Sequence, residues 1–582
     1  MERSAARSEP FHVAAADAAI RDYCFAVLAS QPSPNRVIEA APEKSTHVFL
    51  AAAYNRVELL RRYLELEPTS GSFKRRDGRT PLFSACNAGC TEALEALLTH
   101  GADPNHVENG GWAPLHVAAY VGNRPAVSRL LAAGAVADPR APTSPIELAA
   151  RQGHLAIVRL LLDAGVDPDA AGHDKATALH SAAAAGNLEL VRLLLERGAR
   201  VDARQSDGCT PIHRAVDADQ LAMVKALVRA GASVELTWSR ALESSAHAAW
   251  LGREFELTPL QVACDRGRHD IARALLEGGA DSNRKFELTA GKVGRRRWSL
   301  LHHAVERNDR DLVRLLIEWR ADLQIVDSFD HTPLGRALVL RHTEIARDLV
   351  HAGASLQRVE GKGSYLQVFA KLGDLQSVEF LIDAGSDPDA GAPGTDPPLI
   401  LASRTGAAPV VALLLDKGAA LGARGLGGRG LLHAAVASGD AALLDLLIER
   451  GAALDQTDSD GRTALHLAVA RADRRHIAKC LIERGADREA RDRLDMTPLH
   501  VASQHGQDAS VELLLAAGAA VHARDAAGWT ALHFAAQTAD QALIERVIAA
   551  GAALDAVATF PAVAARARRA DREPGDHGAS TG

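Results

Sequence analysis

The sequence predicts a mostly α-helical repeat solenoid. Three observations carry the prediction: a self-similarity with a 33-residue period from Thr46 to Ala552, a helix-start signature of Thr followed by Pro, and a Gly closing the second apolar segment in thirteen of fifteen copies. A period of this length marks a supersecondary unit that buries its apolar face only by stacking on its neighbours. Length alone would give roughly four domains at about 150 residues each. The repeat spans nearly nine-tenths of the 582 residues, so a single array replaces that estimate.

The copies align on the Thr position: Thr46, Thr80, Ala113, Ser144, Thr177, Thr210, Thr258, Ser299, Thr332, Ser364, Pro397, Gly430, Thr463, Thr497 and Thr530. Thr before Pro, as in Thr80-Pro81 and Thr210-Pro211, suits an N-cap and first helical turn. The hydroxyl accepts a backbone N–H, and Pro lacks only a donor that the helix start leaves unpaired. Small residues follow, such as Ala118 and Ala119, and let the first helix pack closely; Gly122, Gly153 and Gly186 stop it. Leu155, Val158, Leu160, Leu161 and Leu162 then show the spacing of a second amphipathic helix. Gly101, Gly165, Gly198, Gly385 and Gly518 close that helix, because Gly takes the left-handed C′ conformation without Cβ strain.

Hydrophobic residues make up 47%, charged residues 24% and aromatics 4%, with a formal charge of −7. The core must therefore be aliphatic, and a dedicated polyanion binder, normally basic, is disfavoured, so no nucleic-acid partner is expected. Six scattered cysteines without a CxxC pair fit a reducing compartment. The N-terminus lacks an apolar signal core, and no run of about 18 apolar residues is present, so no membrane insertion is expected. A cytoplasmic location follows; delivery into a host cell by a signal-peptide-independent route is compatible with the same sequence.

Thr497-Pro498-Leu499-His500-Val501-Ala502 and the turns Gly101-Ala102-Asp103, Gly279-Ala280-Asp281 and Gly485-Ala486-Asp487 resemble the signature of the ankyrin-repeat family. That resemblance implies helix–loop–helix units joined by β-hairpin fingers and stacked into a curved solenoid, with protein–protein binding as the general activity. The expected layout is a degenerate capping repeat and linker over 1–45 (repeat-like 11–28, link 32–45), the array over 46–552, and a C-terminal segment over 553–582 with a short capping helix (561–572) and a disordered tail (573–582). Such an array is expected to unfold by local, neighbour-coupled steps.

Several motifs are read as structural. His116, His180, His213, His433, His466, His500 and His533 recur at one position of the unit. Successive units stand too far apart for these imidazoles to share a metal ion, so they are expected to satisfy backbone groups. Gly425-LGGR-Gly430 has the spelling of a dinucleotide fingerprint but follows no hydrophobic strand. Asp455-QTDSD-Gly461 fails the calcium-loop spacing at Gln456 and Leu467. Cys86 and Cys90 are expected to be buried small apolar residues. No catalytic, cofactor or metal constellation is recognised, and too little chain lies outside the array for an ordinary catalytic core.

Two fingers break the period. Twenty-seven residues separate Gly231 from Thr258 and twenty separate Gly279 from Ser299, against the usual twelve. The insertions, 234–256 and 284–297, flank one unit and hold Trp238, Trp250, Phe255 and Phe286, with Arg295, Arg296, Arg297 and Trp298 at the end of the second. Aromatics with Arg are the composition of interface hot spots, which makes these eight the candidate partner-binding residues. Tolerated loop length is the competing reading, since loop entropy grows slowly with length. Arg253-EFELT and Arg284-KFELT are near-copies, read as a remnant of duplication.

The expected function is a non-enzymatic protein-interaction scaffold or adaptor that binds through finger tips and first-helix faces. The alternatives are a delivered effector acting on host proteins through the same surface, and an enzyme-associated regulatory subunit or cryptic transferase. No recruiting box of a ubiquitin-ligase adaptor is recognised. Replacing both insertions by short linkers is expected to leave helicity nearly unchanged.

Overall fold

The computed structural model describes residues 44–136, 142–241, 254–288, 296–357, 363–391 and 394–556. The chain divides into two compact units, Met1–Ala321 and Asp322–Gly582. Among the described residues there are thirty α-helices, a pair for each of the fifteen copies. The expected N-terminal cap at 11–28 and C-terminal helix at 561–572 lie outside the described residues. The first described helix is Lys44–Ala53, beginning inside the expected link.

The local signals act as the chemistry requires. Thr210 is extended, with ψ 166°, and Pro211 opens the helix Pro211–Asp217. Gly122 ends Pro114–Val121 in the left-handed conformation, φ 90°. Ala118, Ala119, Ala149 and Ala150 are fully buried where neighbouring first helices meet. Leu130, Leu161, Leu194 and Leu227 fill the space beneath the second helices, each contributing about 1.5–3 kcal/mol relative to exposure.

Five of the histidines, His180, His213, His433, His466 and His500, join their unit to the next finger. Within the first unit of the chain, the Thr177 N–H donates to His180 Nδ1 at 3.2 Å, and His180 Nε2 donates to the Cys209 carbonyl at 3.1 Å. Thr210 and His213 repeat the arrangement toward the Leu257 carbonyl. Within the second, Thr463 and His466 do so toward the Met496 carbonyl. A ring nitrogen that accepts on one side and donates on the other fixes the neutral Nε2–H tautomer. This corrects one detail of the expected cap. In these copies the Thr hydroxyl meets the imidazole, 2.7 Å from His213 Nδ1. It accepts a backbone N–H in copies without His, as Thr80 does from Phe83.

Copies lacking His solve the same problem differently. Gln261 accepts from the Thr258 N–H and donates to the Lys285 carbonyl, both at 2.9 Å. Gly335 leaves a gap that the Tyr365 phenol of the following copy fills, 2.6 Å from the Thr332 hydroxyl. Glu147 cannot donate to a carbonyl; its side chain is fully buried, and Oε1 accepts from Arg151 and Ser181. Burial raises its pKa, opposed by Arg151.

Fingers are also tied directly to one another. The Asn109 N–H donates to the Asp77 carbonyl and Ser206 to Asp174 in the first unit; Ser459 donates to Gly427 and Arg493 to Asp460 in the second. The motifs set aside above belong to this framework. Leu426–Gly428 is a 3-10 turn at a finger tip. Asp458 Oδ1 accepts from the Asp460 and Arg462 N–H groups. Cys86 is buried as expected, whereas Cys90 is only half-buried, since it precedes the helix Thr91–Thr99 at the surface.

The buried caps make stability depend on pH and on the residue that fills each cap. Burial pushes His180 and His213 down to about 4 and lowers His433, His466 and His500. The unfolded chain protonates these groups near 6.5, so their contribution is complete above that pH. For His180 and His213 it is lost as pH falls from 6.5 toward 4, at about 1.4 kcal/mol per pH unit each. Thermal unfolding at about pH 5 should therefore occur at lower temperature than at neutral pH, and the double variant His180→Gln/His213→Gln should flatten the dependence; a flat wild-type profile would contradict it. Tyr365→Phe should cost about 1–2 kcal/mol by leaving the Thr332 cap without its partner. Gly335→His alone should cost about 1–3 kcal/mol by overpacking. Gly335→His with Tyr365→Pro should be more stable than either single variant in hydrogen exchange of the Pro333–Val339 amides; additive losses would contradict the compensation.

Candidate functional site: the paired hairpins

Both long fingers form antiparallel hairpins in the first unit. Strands β1, Trp238–Ala241, and β2, Glu254–Leu257, pair with Trp238 opposite Leu257 and Arg240 opposite Phe255. Strands β3, Lys285–Leu288, and β4, Arg296–Ser299, pair with Phe286 opposite Trp298. The alternation of a strand puts Trp238, Arg240, Phe255 and Leu257 on one face. The near-copies of Phe-Glu-Leu are β2 and β3, which lie next to each other.

The inward faces form one aromatic layer. Phe286 and Trp298 stack at 5.2 Å with 9° between their planes, Phe255 meets Trp298 edge-on at 5.8 Å, and Phe286 covers His303 at 4.9 Å. Trp238 lies 5.8 Å from His213 and donates through Nε1 to Asp207 at 2.9 Å. The Arg240 guanidinium sits 4.6 Å above the Trp238 ring and pairs with Asp217 at 2.6 Å. Arg266 reaches the same carboxylate oxygen at 2.7 Å. One Asp thereby ties the hairpin to the ends of Pro211–Asp217 and Pro259–Asp265.

Trp238 and Trp298 are 7% exposed, Phe255 3% and Phe286 1%. These four candidate contact residues therefore anchor the hairpins to the helices and offer little surface to a partner. The physical reason is the strand alternation, which turns their rings to the side opposite solvent. Trp250, Arg295 and the side chains of Arg296 and Arg297 lie outside the described residues. The outward side chains Thr237 and Glu256 bond across β1 and β2 at 2.9 Å. Glu235 joins the hairpins, accepting from the Asp281 N–H at 3.0 Å and lying 3.9 Å from Arg284. Sequence reading missed Arg240 and Asp217, although the position of Arg240 two residues after Trp238 was the available signal. It also missed His302, an eighth cap histidine, whose Nδ1 accepts from the Ser299 N–H; the doubled His302-His303 obscured its register.

Helix pairs with interlocked fingers define a tandem-repeat solenoid. A family profile described as ankyrin repeats in three copies matches residues 39–142, 146–237, 286–360, 432–525 and 494–558, and one described as a single ankyrin repeat matches 255–285. Those matches span well over half the sequence, and the chain belongs to the ankyrin-repeat family, whose repeats are protein–protein interaction modules. It is 33% identical over 100 residues to human ankyrin repeat and SOCS box protein 3, covering 16% of this chain and 19% of that protein. It is 46% identical over 57 residues to the bovine inactive serine/threonine-protein kinase TEX14, covering 10% of this chain and 4% of that protein. The chain thus spans less than a fifth of either relative. The crystal structure of the human ASB11 ankyrin repeat domain is similar at 26% identity and a TM-score of 0.33, covering 40% of this chain and 98% of that one. Among the described residues no helix is long and apolar enough to cross a membrane.

Trp298→Ala should cost about 3–5 kcal/mol locally, as large aromatic truncations in packed cores do. Hydrogen exchange should accelerate in β2, β3 and β4 while the helices Ala178–Ala184 and Leu188–Glu196 keep their protection. Unchanged exchange in the strands would show that the ring is not a packing anchor.

Proposed function

We propose that the protein is a non-catalytic scaffold or adaptor that captures a protein partner on the finger edge, at the two hairpins flanking the unit that starts at Thr258. The observation that carries this reading is the shared aromatic layer. Phe255, Phe286 and Trp298 bind two enlarged fingers into one preorganised ledge, and rigid presentation lowers the ordering cost of association. Surplus loop length alone would not require a cross-hairpin core. The outward groups on and beside the ledge, Thr237, Glu256, Glu235 and Arg284, are polar, which suits the rim of a protein interface. Recognition by the ledge involves no bond-making step.

A resident cytoplasmic adaptor fits best. Cys86, Cys209 and Cys264 are buried free thiols, as expected of a chain that works under reducing conditions. An effector delivered into a host would use the same surface, and its distinguishing property is secretion.

The test leaves the aromatic layer in place. Residues 242–253 and 289–295 are each replaced by Asn-Gly, a sequence suited to a two-residue hairpin turn. Circular dichroism should show wild-type helicity, and quantitative capture from native lysate should lose a partner enriched by the wild type. Retention of every enriched partner by the trimmed protein would overturn the proposed site and move recognition to the first-helix faces.

A further inference from the structure

The second unit contains a break in the most uniform position of the repeat. Five residues after the Thr position, fourteen copies have Ala, and the copy starting at Ser364 has Phe369. The same copy carries Tyr365 where most others have Pro or Ala. Both rings are buried, each 3% exposed. Their helix, Tyr365–Leu372, packs closely on Pro398–Thr405 but stands off from Pro333–Val339 on its other side. A benzyl group in place of a methyl adds volume that interiors of this density do not absorb.

The outer layer of the same two copies is open. A cleft of about 590 Å³ opens between the second helices Thr343–His351 and Leu375–Asp383. Val350, Phe380 and Ala384 give it an apolar floor. Arg347 and His351 stand on one wall, Glu379 and Asp383 on the other. At Gln376 it meets a second groove of about 450 Å³, where Val339, Leu372 and Leu375 are 48%, 69% and 40% exposed. Exposed aliphatic surface concentrated beside a cleft marks an interaction site more than scattered exposure does.

We propose that this cleft is a docking groove for an amphipathic helix of a partner protein, with acidic residues on one flank of its apolar stripe and Lys or Arg on the other. The fit rests on charge complementarity and length. Acidic residues on the ligand would face Arg347 and His351, and basic ones Glu379 and Asp383. The present partners of Arg347 and Asp383, namely Glu344 and Lys417, are exposed pairs at 2.6 and 2.7 Å that cost little to exchange. A nine-residue wall helix is about 13 Å long, which seats two to three turns of a ligand helix reading through i, i+3, i+4 and i+7 anchors. This groove is built from second helices of the second unit, and its test does not depend on the finger ledge of the first.

The probe is a fluorescein-labelled helical peptide with a Leu/Ala stripe, Glu on one flank and Lys on the other. All-Glu and all-Lys peptides with the same stripe are the controls. Anisotropy with the full chain should give a Kd of about 10–100 µM for the mixed peptide, with both controls at least fivefold weaker. Arg347→Glu and Glu379→Lys change exposed residues and should keep wild-type circular dichroism, yet each should weaken the mixed peptide at least fivefold. Gly335→His/Tyr365→Pro/Phe369→Ala restores the common pattern and should weaken it at least tenfold by closing the cleft. Absence of saturable binding, or affinity indifferent to both charge substitutions, would overturn the proposal. Full affinity in the triple variant would overturn the wedge as its cause.

Discussion

The fold depends on a buried polar link repeated along the chain: an N-cap N–H held by one side of a side chain whose other side holds the carbonyl of the next finger. In five copies that side chain is an imidazole seen to reach both groups, as in Thr210, His213 and the Leu257 carbonyl. The link matters because each copy is too small to bury its own face, so its stability is shared with its neighbours. Apolar stacking is non-directional, whereas a group that must accept on one side and donate on the other fixes register. Net contributions of about 1 kcal/mol per hydrogen bond are modest, but leaving either group buried and unpaired costs more than the bond contributes.

The exceptions show what the link requires. Gln261 and Gln367 keep both functions, the latter reaching the Thr395 hydroxyl and Asp396 carbonyl. Tyr365 supplies from the neighbouring copy what Gly335 lacks. Glu147 keeps only acceptor capacity and turns to Arg151 and Ser181 instead. Where the substitution is also a change of size, as at Tyr365 with Phe369, the added volume lies beside an open outer layer. The same logic applies at the fingers. Longer connections brought aromatic residues that the helices then covered, and the covering made two hairpins into one ledge.

Much of this was legible in the residues. The spacing of Thr, Ala and Gly placed all fifteen helix pairs, including those starting at Ser364 and Pro397, which fall in the stretch 361–431 between family matches. The structural role of the histidines was legible because a ring every 33 residues is too widely spaced for a metal and well placed for backbone groups. The side on which the insertion aromatics fall was not legible from composition. Hot-spot residue types and core residue types are the same types, and only strand pairing decides between them. Pairing put Trp238, Phe255, Phe286 and Trp298 inside. The Ala-to-Phe change at 369 is visible in the alignment of copies, but the cleft beside it is a property of the second helices, which the alignment does not display.

The most direct test of the histidine link is its proton. Nitrogen-15 NMR of the imidazoles of His180, His213 and His466 reads tautomer and charge together. The account requires the neutral Nε2–H form in all three, persisting below pH 6, with Nδ1 shifted as an acceptor. Imidazoles that titrate near 6.5 or populate the Nδ1–H form would contradict it, and would leave the array held by apolar stacking alone.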